Sequence, residues 1–414
     1  MELQKVTIEK LVHGGQGIGT LADGRRVFVW NALPGETMSV RLTKSKRGHA
    51  EGIAEEIVIP SEFRLPPKDD AYLSTSPWQI MDFDKENEYK REILVETMQR
   101  EHVDFPSEIT MQAGEKQWHY RNKMEYSFWA DDDGLHLALF NRGSHRKQII
   151  NGSSIAMPLI DETAAKIVEI LNQNDIRGSQ LKTVVVRANQ NGDAVVALFV
   201  KDESFPDLPE LAGAAKGVAV YYSNPKSPAS VLTRELYLYG DVRLTDAIKG
   251  VPITYDVNSF FQVNLEIFSK ALDRIAGEID GSSADMYSGV GTIGIPVGAN
   301  RLIEIDEHNV AMAKQNVGEG KTEIVHASAE TALDHITADE TLILDPPRAG
   351  LHQKVTDRIL EVLPAKVIYL SCNPITQARD LALLQEKYTI KSIEGFNFFP
   401  RTPHIESLAI LEVK

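Results

Sequence analysis

Apolar and polar positions alternate in short runs near the start of the chain (Lys5-Val6-Thr7-Ile8, Arg26-Val27-Phe28-Val29-Trp30, Thr37-Met38-Ser39-Val40-Arg41-Leu42). Glycine turns separate them and no helical stretch intervenes, which predicts a small β-barrel over residues 1–60. Residues 61–80, with Pro66-Pro67-Lys68-Asp69-Asp70, read as a linker, and helical spacing runs over about 85–100. Turn signals at Asp131-Asp132-Asp133-Gly134 and Asn191-Gly192, with a helical stretch over about 161–173, predict an α+β arrangement over 117–250. Residues 61–255 therefore read as linker, helix and central α+β domain.

From residue 256 the pattern changes. Phe260, Phe261, Val263, Ile267, Phe268, Leu272 and Ile275 fit one face of a helix. Strand-like runs then alternate with helical ones, at 284–287, 302–305, 323–325, 342–344 and 367–370. Such alternation predicts a doubly wound, Rossmann-like α/β domain over 256–414. The last two runs, 390–399 and 405–413, have no helix between them and are expected to pair as an antiparallel hairpin at the sheet's edge.

Composition adds limits. One cysteine in 414 residues excludes an intrachain disulfide framework and fits a reducing cytosol. The first residues carry no apolar signal core and no run reaches membrane-spanning length, so a cytoplasmic protein with no membrane partner is expected. A net charge of −15 argues against gripping nucleic acid by overall charge, but local basic clusters remain. Arg41, Lys44, Lys46 and Arg47 form one, Arg121 with Lys123 a second, and Arg142 with His145, Arg146 and Lys147 a third. Each reads either as a solvated face or as a phosphate-contacting surface.

Three stretches carry candidate chemistry. Asp285-Met-Tyr287-Ser-Gly289-Val-Gly291-Thr292-Ile-Gly294 is a G-x-G-x-x-G loop expected between a strand and a helix. Glu304 follows Gly289 by fifteen positions, short of the roughly twenty expected for a dinucleotide site. An acidic residue ahead of the loop and an Asp-Pro-Pro further on suit S-adenosylmethionine instead; a glycine-rich packing turn is the plainer reading. Asp345-Pro-Pro-Arg348 ends another strand. Cys372 lies between a strand and a helix, where open α/β sheets bind ligands and a helix N-terminus favours the thiolate. A small buried hydrophobe is the alternative for a lone cysteine. Glu406, alternating with Leu408 and Ile410, is expected on an apolar face, where burial raises a carboxyl pKa and suits a general base; a strand end reaching water is the alternative.

A thiol, a carboxylate and a methyl-donor loop on one rim match the chemistry of uracil C5 methylation. Asp285–Gly294, Asp345–Leu351, Ser371-Cys372-Asn373-Pro374 and Phe399-Pro-Arg-Thr-Pro-His404-Ile-Glu406 resemble motifs of the RNA (uracil-5-)-methyltransferase family. Phe260-Phe-Gln262-Val-Asn264 resembles its cofactor-side motif, and Trp118-His-Tyr120-Arg121-Asn122-Lys123 the start of its central RNA-contacting domain. His13-Gly-Gly-Gln-Gly-Ile-Gly19 with Leu33-Pro-Gly-Glu36 resembles the N-terminal TRAM domain. The resemblance implies Cys372 as nucleophile and Glu406 as the base that removes the C5 proton. It implies S-adenosyl-L-methionine contacts from Gln262, Tyr287, Gly289, Gly291, Thr292, Glu304, Ser328 and Asp345, although Thr292 and Ser328 depart from the family's usual residue types. RNA contacts are expected from Arg121, Lys123, Arg348 and His404, by a monomer.

The resemblance departs over iron. Many TRAM-bearing members hold a [4Fe–4S] cluster through four cysteines, whereas residues 68–79 and 150–154 here contain none. No metal is expected, and residues 66–80 must hold their shape by packing, with Trp78 a candidate anchor. The expected substrate is RNA, with large-subunit ribosomal RNA favoured over transfer RNA. A methyltransferase for protein or small molecules would leave Cys372 and Glu406 idle, and a non-catalytic RNA-binding assembly factor would never modify its RNA. An oxidoreductase would need nicotinamide, which the short Gly289–Glu304 spacing disfavours.

Overall fold

The computed structural model describes residues 3–105, 108–144, 146–227 and 229–414; His145 lies outside them. Strands β1 (Gln4–Leu11), β2 (Gly17–Thr20), β3 (Arg26–Trp30), β4 (Thr37–Ser45) and β5 (His49–Ile59) close into a barrel in the order β1-β2-β3-β5-β4. Val6, Ile8, Val27, Val29, Met38 and Val40 fill it, as the alternation requires. The first basic cluster is partly a strand rather than a loop. Arg41 and Lys44 sit on β4 and pair with Glu55 and Glu51 of β5.

A one-turn helix, α1 (Tyr72–Thr75), and the long α2 (Phe83–Arg100) follow, with Asp82 capping α2 through the Asp84 and Lys85 amides. After the short β6 (Thr110–Gln112), the chain forms β7 (Lys123–Asp131), β8 (Gly134–Phe140), β9 (Lys147–Ile149), α3 (Pro158–Gln173), β10 (Leu181–Ala188), β11 (Ala194–Val200), β12 (Gly217–Tyr222) and β13 (Arg234–Gly240). The seven strands β7–β13 form one sheet, ordered β13-β12-β11-β10-β7-β8-β9, which α3 covers with Ile160, Ala164, Ile167 and Leu171. Both expected hairpin turns are present, between β7 and β8 and between β10 and β11. A separate ribbon, β14 (Arg243–Ile248) with β15 (Val251–Asp256), leads into the last part of the chain.

There α4 (Leu265–Ala276) is followed by β16 (Ser283–Met286), β17 (Arg301–Glu304), α5 (Glu307–Val317), β18 (Glu323–His326), β19 (Thr341–Leu344), α6 (Gln353–Val362), β20 (Lys366–Ser371), α7 (Pro374–Leu384), β21 (Tyr388–Phe396) and β22 (Glu406–Val413). Among the described residues the sheet runs β18-β17-β16-β19-β20-β22-β21-β6. β16 to β20 are parallel and β22 antiparallel. The order reverses at β16, which opens a ligand crevice at the strand ends there.

Three expectations change. The helix expected from Phe260 begins at Leu265. Phe261 turns aside to stack on Tyr255, at 3.7 Å between centroids, and Phe260 is left 65% exposed. Ile267, Phe268, Ala271, Leu272 and Ile275 keep the apolar face, each large side chain contributing about 1.5–3 kcal/mol on burial. No regular helix follows the glycine loop. Residues 289–298 form consecutive turns, because Pro296 has no amide to donate and four glycines and five β-branched residues disfavour a helix. The terminal hairpin is not the edge: β22 lies inside, between β20 and β21, and β6 pairs parallel with β21 beyond it. Thus, from the stretch expected to be linker and central domain, β6 joins the catalytic sheet and α2 packs against it. The aliphatic face of α2 (Ile93, Leu94, Met98) shares one core with α6, α7 and that sheet.

Candidate active site

The glycine loop leaves β16 through Tyr287, whose backbone is left-handed at φ 71°. Its glycines differ in purpose. A Cβ on Gly291 would stand 2.4 Å from Ile295, and one on Gly294 would stand 2.3 Å from Leu302 and 2.8 Å from Asp285, so both permit close packing. Gly289 faces open space, with nothing within 4 Å of such a Cβ. Buried Asp285 accepts the Gly294 amide at 2.8 Å through Oδ2, while its Oδ1 has no partner. Desolvation pushes the Asp285 carboxyl up to about 8. At the end of β17, Glu304 accepts the Gly289 amide at 2.8 Å and the Asp306 amide at 2.7 Å. Its two oxygens keep further lone pairs for hydroxyls. Ser328 follows β18, Gln262 and Thr292 are buried, and Tyr287 is half-buried. An open glycine, an orphaned buried carboxylate oxygen and a strand-end glutamate fit S-adenosyl-L-methionine. Gly289, Glu304, Asp285 and Tyr287 would hold it.

Cys372, Asp345 and Glu406 stand at the ends of β20, β19 and the start of β22. Glu406 is 5% exposed; burial, with the Asp345 charge beside it, holds its carboxyl well above the ordinary range. Asp345 is pushed up to about 7 by desolvation. Half-buried Cys372 is pushed up to about 11, first by burial, then by Glu406 and Asp345. Arg348 opposes this by its charge and a side-chain hydrogen bond. The expected helix-end preference for the thiolate is therefore overridden. Pro374 has no amide to offer, the Asn373 side chain already accepts the Ile375 amide, and two carboxylates face the sulfur.

Arg348 and His404 join this cluster. The Arg348 carbonyl accepts from Asn373 Nδ2 at 2.8 Å and from Thr376 Oγ1 at 3.2 Å. Asp380 braces the same loop, accepting the Leu351 amide and the Tyr369 hydroxyl, both at 2.8 Å. The sequence reading missed Asn373 and Asp380 as supports of that loop; the Asn-Pro before a helix was the available signal. His404 lies 5.5 Å from Phe399, ring to ring, and burial, followed by the Arg348 charge, lowers its pKa to about 4. Arg121 stands 5.9 Å over Phe399. Lys123 is half-buried, and burial together with the Arg187 charge lowers it to about 8.

The two cysteine-free stretches meet. Gln79 Oε1 accepts the Lys68 and Asp69 amides at 2.8 and 3.1 Å, and Asp69 accepts the Ser154 amide at 3.1 Å. Gln79 Nε2 donates to Asp69 and to Ser76, at 2.9 and 2.7 Å. Trp78 is buried beside this network, so polar pairing joins packing in holding residues 66–80.

Fold and rim together define an RNA methyltransferase that uses S-adenosyl-L-methionine. A family model for tRNA (Uracil-5-)-methyltransferase matches residues 83–414, and one for the TRAM domain matches residues 2–54. The chain belongs to the tRNA (uracil-5-)-methyltransferase family. It is 30% identical to an uncharacterized RNA methyltransferase of Lactobacillus johnsonii, over 99% of this chain and 98% of that one. It is 29% identical to another from Thermotoga maritima, over 99% of both. The fold is similar to that of Pyrococcus abyssi tRNA (uracil-54, C5)-methyltransferase in complex with S-adenosyl-L-homocysteine. There the TM-score is 0.79 at 24% identity, covering 98% of this chain and 100% of that one.

Proposed function

We propose that the protein methylates C5 of a uridine in RNA through a covalent adduct on Cys372. The observation that carries this reading is the meeting of Cys372, Glu406 and Arg348 on the rim that also bears the open glycine loop. Bound S-adenosyl-L-methionine supplies an electrophilic methyl group. The Cys372 thiolate adds to C6, forming an S–C6 bond and moving the C5–C6 π pair into an enolate. C5 would then take the methyl from the bound cofactor, whose sulfur would keep the C–S bonding pair as a neutral thioether. Glu406 removes the C5 proton; the C–H pair re-forms C5=C6, the S–C6 bond breaks, and the thiolate is released. A carboxylate with a raised pKa is the better acceptor for a carbon-bound proton. Arg348 stabilises the thiolate against its two acidic neighbours, and the target base leaves its stack to reach the rim. RNA contacts from Arg121, Lys123 and His404 belong to the same reading, as does action in the cytoplasm as a monomer.

Large-subunit ribosomal RNA is the first pool proposed, on the strength of the barrel. Transfer RNA is the second, because the match to the Pyrococcus abyssi protein named above covers 98% of this chain. The test offers methyl-labelled cofactor with unmodified ribosomal and transfer RNA separately, followed by digestion to nucleosides. Labelled 5-methyluridine from one pool fixes both reaction and substrate class. Cofactor binding without label in either pool supports a non-catalytic RNA-binding factor instead. Cys372→Ala should abolish turnover and spare cofactor binding; retained methylation would sink the covalent step.

A further inference from the structure

The nine residues between β21 and β22 carry His404 and end where Glu406 begins. Within them Pro400 and Arg401 occupy the centre of a turn closed by the Thr402 amide on the Phe399 carbonyl, at 3.2 Å. Arg401 has φ 66°, a left-handed conformation that such a turn ordinarily gives to glycine or asparagine. A non-glycine residue stays there only where its surroundings over-determine it.

Those surroundings come from far along the chain. Both Glu86 oxygens accept the Arg401 amide, each at 3.0 Å. Glu86 also accepts from Asn397 Nδ2 at 3.0 Å and pairs with Lys90 at 3.0 Å, both side chains fully buried. Lys90 in turn donates to Asn397 Oδ1 at 2.6 Å and to the Phe399 carbonyl at 3.1 Å. The Arg401 guanidinium donates to the Met81 carbonyl at 2.7 Å, and the Tyr120 hydroxyl to the Pro400 carbonyl at 2.9 Å. On the outer side Pro403 packs on Gly15 of the barrel, where a Cβ would come within 2.4 Å, and Trp78 Nε1 donates to the Gly15 carbonyl at 3.1 Å. By contrast, Cys372 is carried by β20 and α7, and none of the hydrogen bonds just named reaches it.

We infer that the Glu86–Lys90 pair of α2 is a positioning device for the proton-removing arm of the site, fixing residues 397–405 so that Glu406 and His404 meet the substrate. This rests on the reading of Glu406 as the base. A buried ion pair is a weak source of stability, since two apolar side chains would serve as well, but it specifies one geometry for the groups bonded to it. Loosening it slows the step that needs Glu406 and spares the step that needs Cys372.

The test compares wild type, the double variant E86Q/K90M, Tyr120→Phe and Glu406→Gln, each with pooled unmodified ribosomal and transfer RNA. The double variant removes both charges of the pair while Arg401, 3.9 Å from Glu86, keeps its bond to the Met81 carbonyl, and Tyr120→Phe removes one hydroxyl if the double variant fails to fold. The double variant should lose about 10- to 100-fold in kcat, as misplaced catalytic groups do, with KM for the cofactor unchanged. A denaturation-resistant protein–RNA complex should accumulate at steady state. RNA transcribed with 5-fluorouridine, which has no C5 proton to remove, should be trapped at the wild-type rate. Tyr120→Phe should move the same readouts in the same direction by a few-fold. Wild-type turnover in the folded variants, or slowed trapping of fluorinated RNA, overturns the inference while accumulation in Glu406→Gln upholds the base. No accumulation in Glu406→Gln overturns the base and this inference together.

Discussion

Two loops reach the same sheet rim and are held in opposite ways. The glycine loop is fixed by its own neighbourhood: Asp285 holds the Gly294 amide and Glu304 the Gly289 amide, fifteen positions apart at most. The loop before Glu406 is fixed by Glu86, Lys90 and Tyr120, about 280 to 315 positions away. A locally held loop can be rebuilt by local changes. A remotely held one ties the chemistry to the docking of a separate helix.

The largest test of this contrast is Lys90→Met alone. It leaves the buried Glu86 carboxylate with the more distant Arg401 guanidinium, at 3.9 Å, as its charged partner and should destabilise the protein by up to about 3–5 kcal/mol, read as a fall in denaturation midpoint. On the other loop, Gly294→Val drives a side chain into Leu302 and Asp285 and should cost about 1–3 kcal/mol. It should also abolish binding of S-adenosyl-L-homocysteine in calorimetry.

Two smaller effects concern protons. Alkylation of Cys372 in the RNA-free protein should be slow at neutral pH and rise about tenfold per pH unit, with no plateau before about 11. A plateau near 8 would show an ordinary, solvated thiol. Asp285 binds its proton more tightly folded than unfolded, so it adds stability at low pH that is lost as pH rises between its ordinary value of 3.8 and about 8. Asp285→Asn keeps an acceptor for the Gly294 amide and should flatten that part of the melting-temperature profile, with less than about 1 kcal/mol lost near pH 7.

Much of this was legible in the sequence. Each of the parallel strands β16 to β20 fell within about two residues of its place, because buried strands read as unbroken apolar runs between turns. Cys372, Asp345 and Glu406 were legible as strand-end groups for the same reason. The contribution of α2 was not. Glu86 and Lys90 stand four apart on a charged helix, a pattern that normally marks a solvated face, and nothing local shows that Asn397 and Arg401 will cover them. The start of α4 was misread because Phe260 and Phe261 continue its apolar spacing while their rings point elsewhere. The thiol's high pKa depends on carboxylates that only the assembled rim brings near it.

The placement of α2 also sets an order of events during synthesis. At about 5–20 residues per second, this helix leaves the ribosome roughly 15–60 s before the strands that will cover it. Meanwhile the face destined for burial carries a glutamate and a lysine, which water solvates well, so the waiting helix offers chaperones and neighbouring nascent chains less to bind than an all-apolar one would.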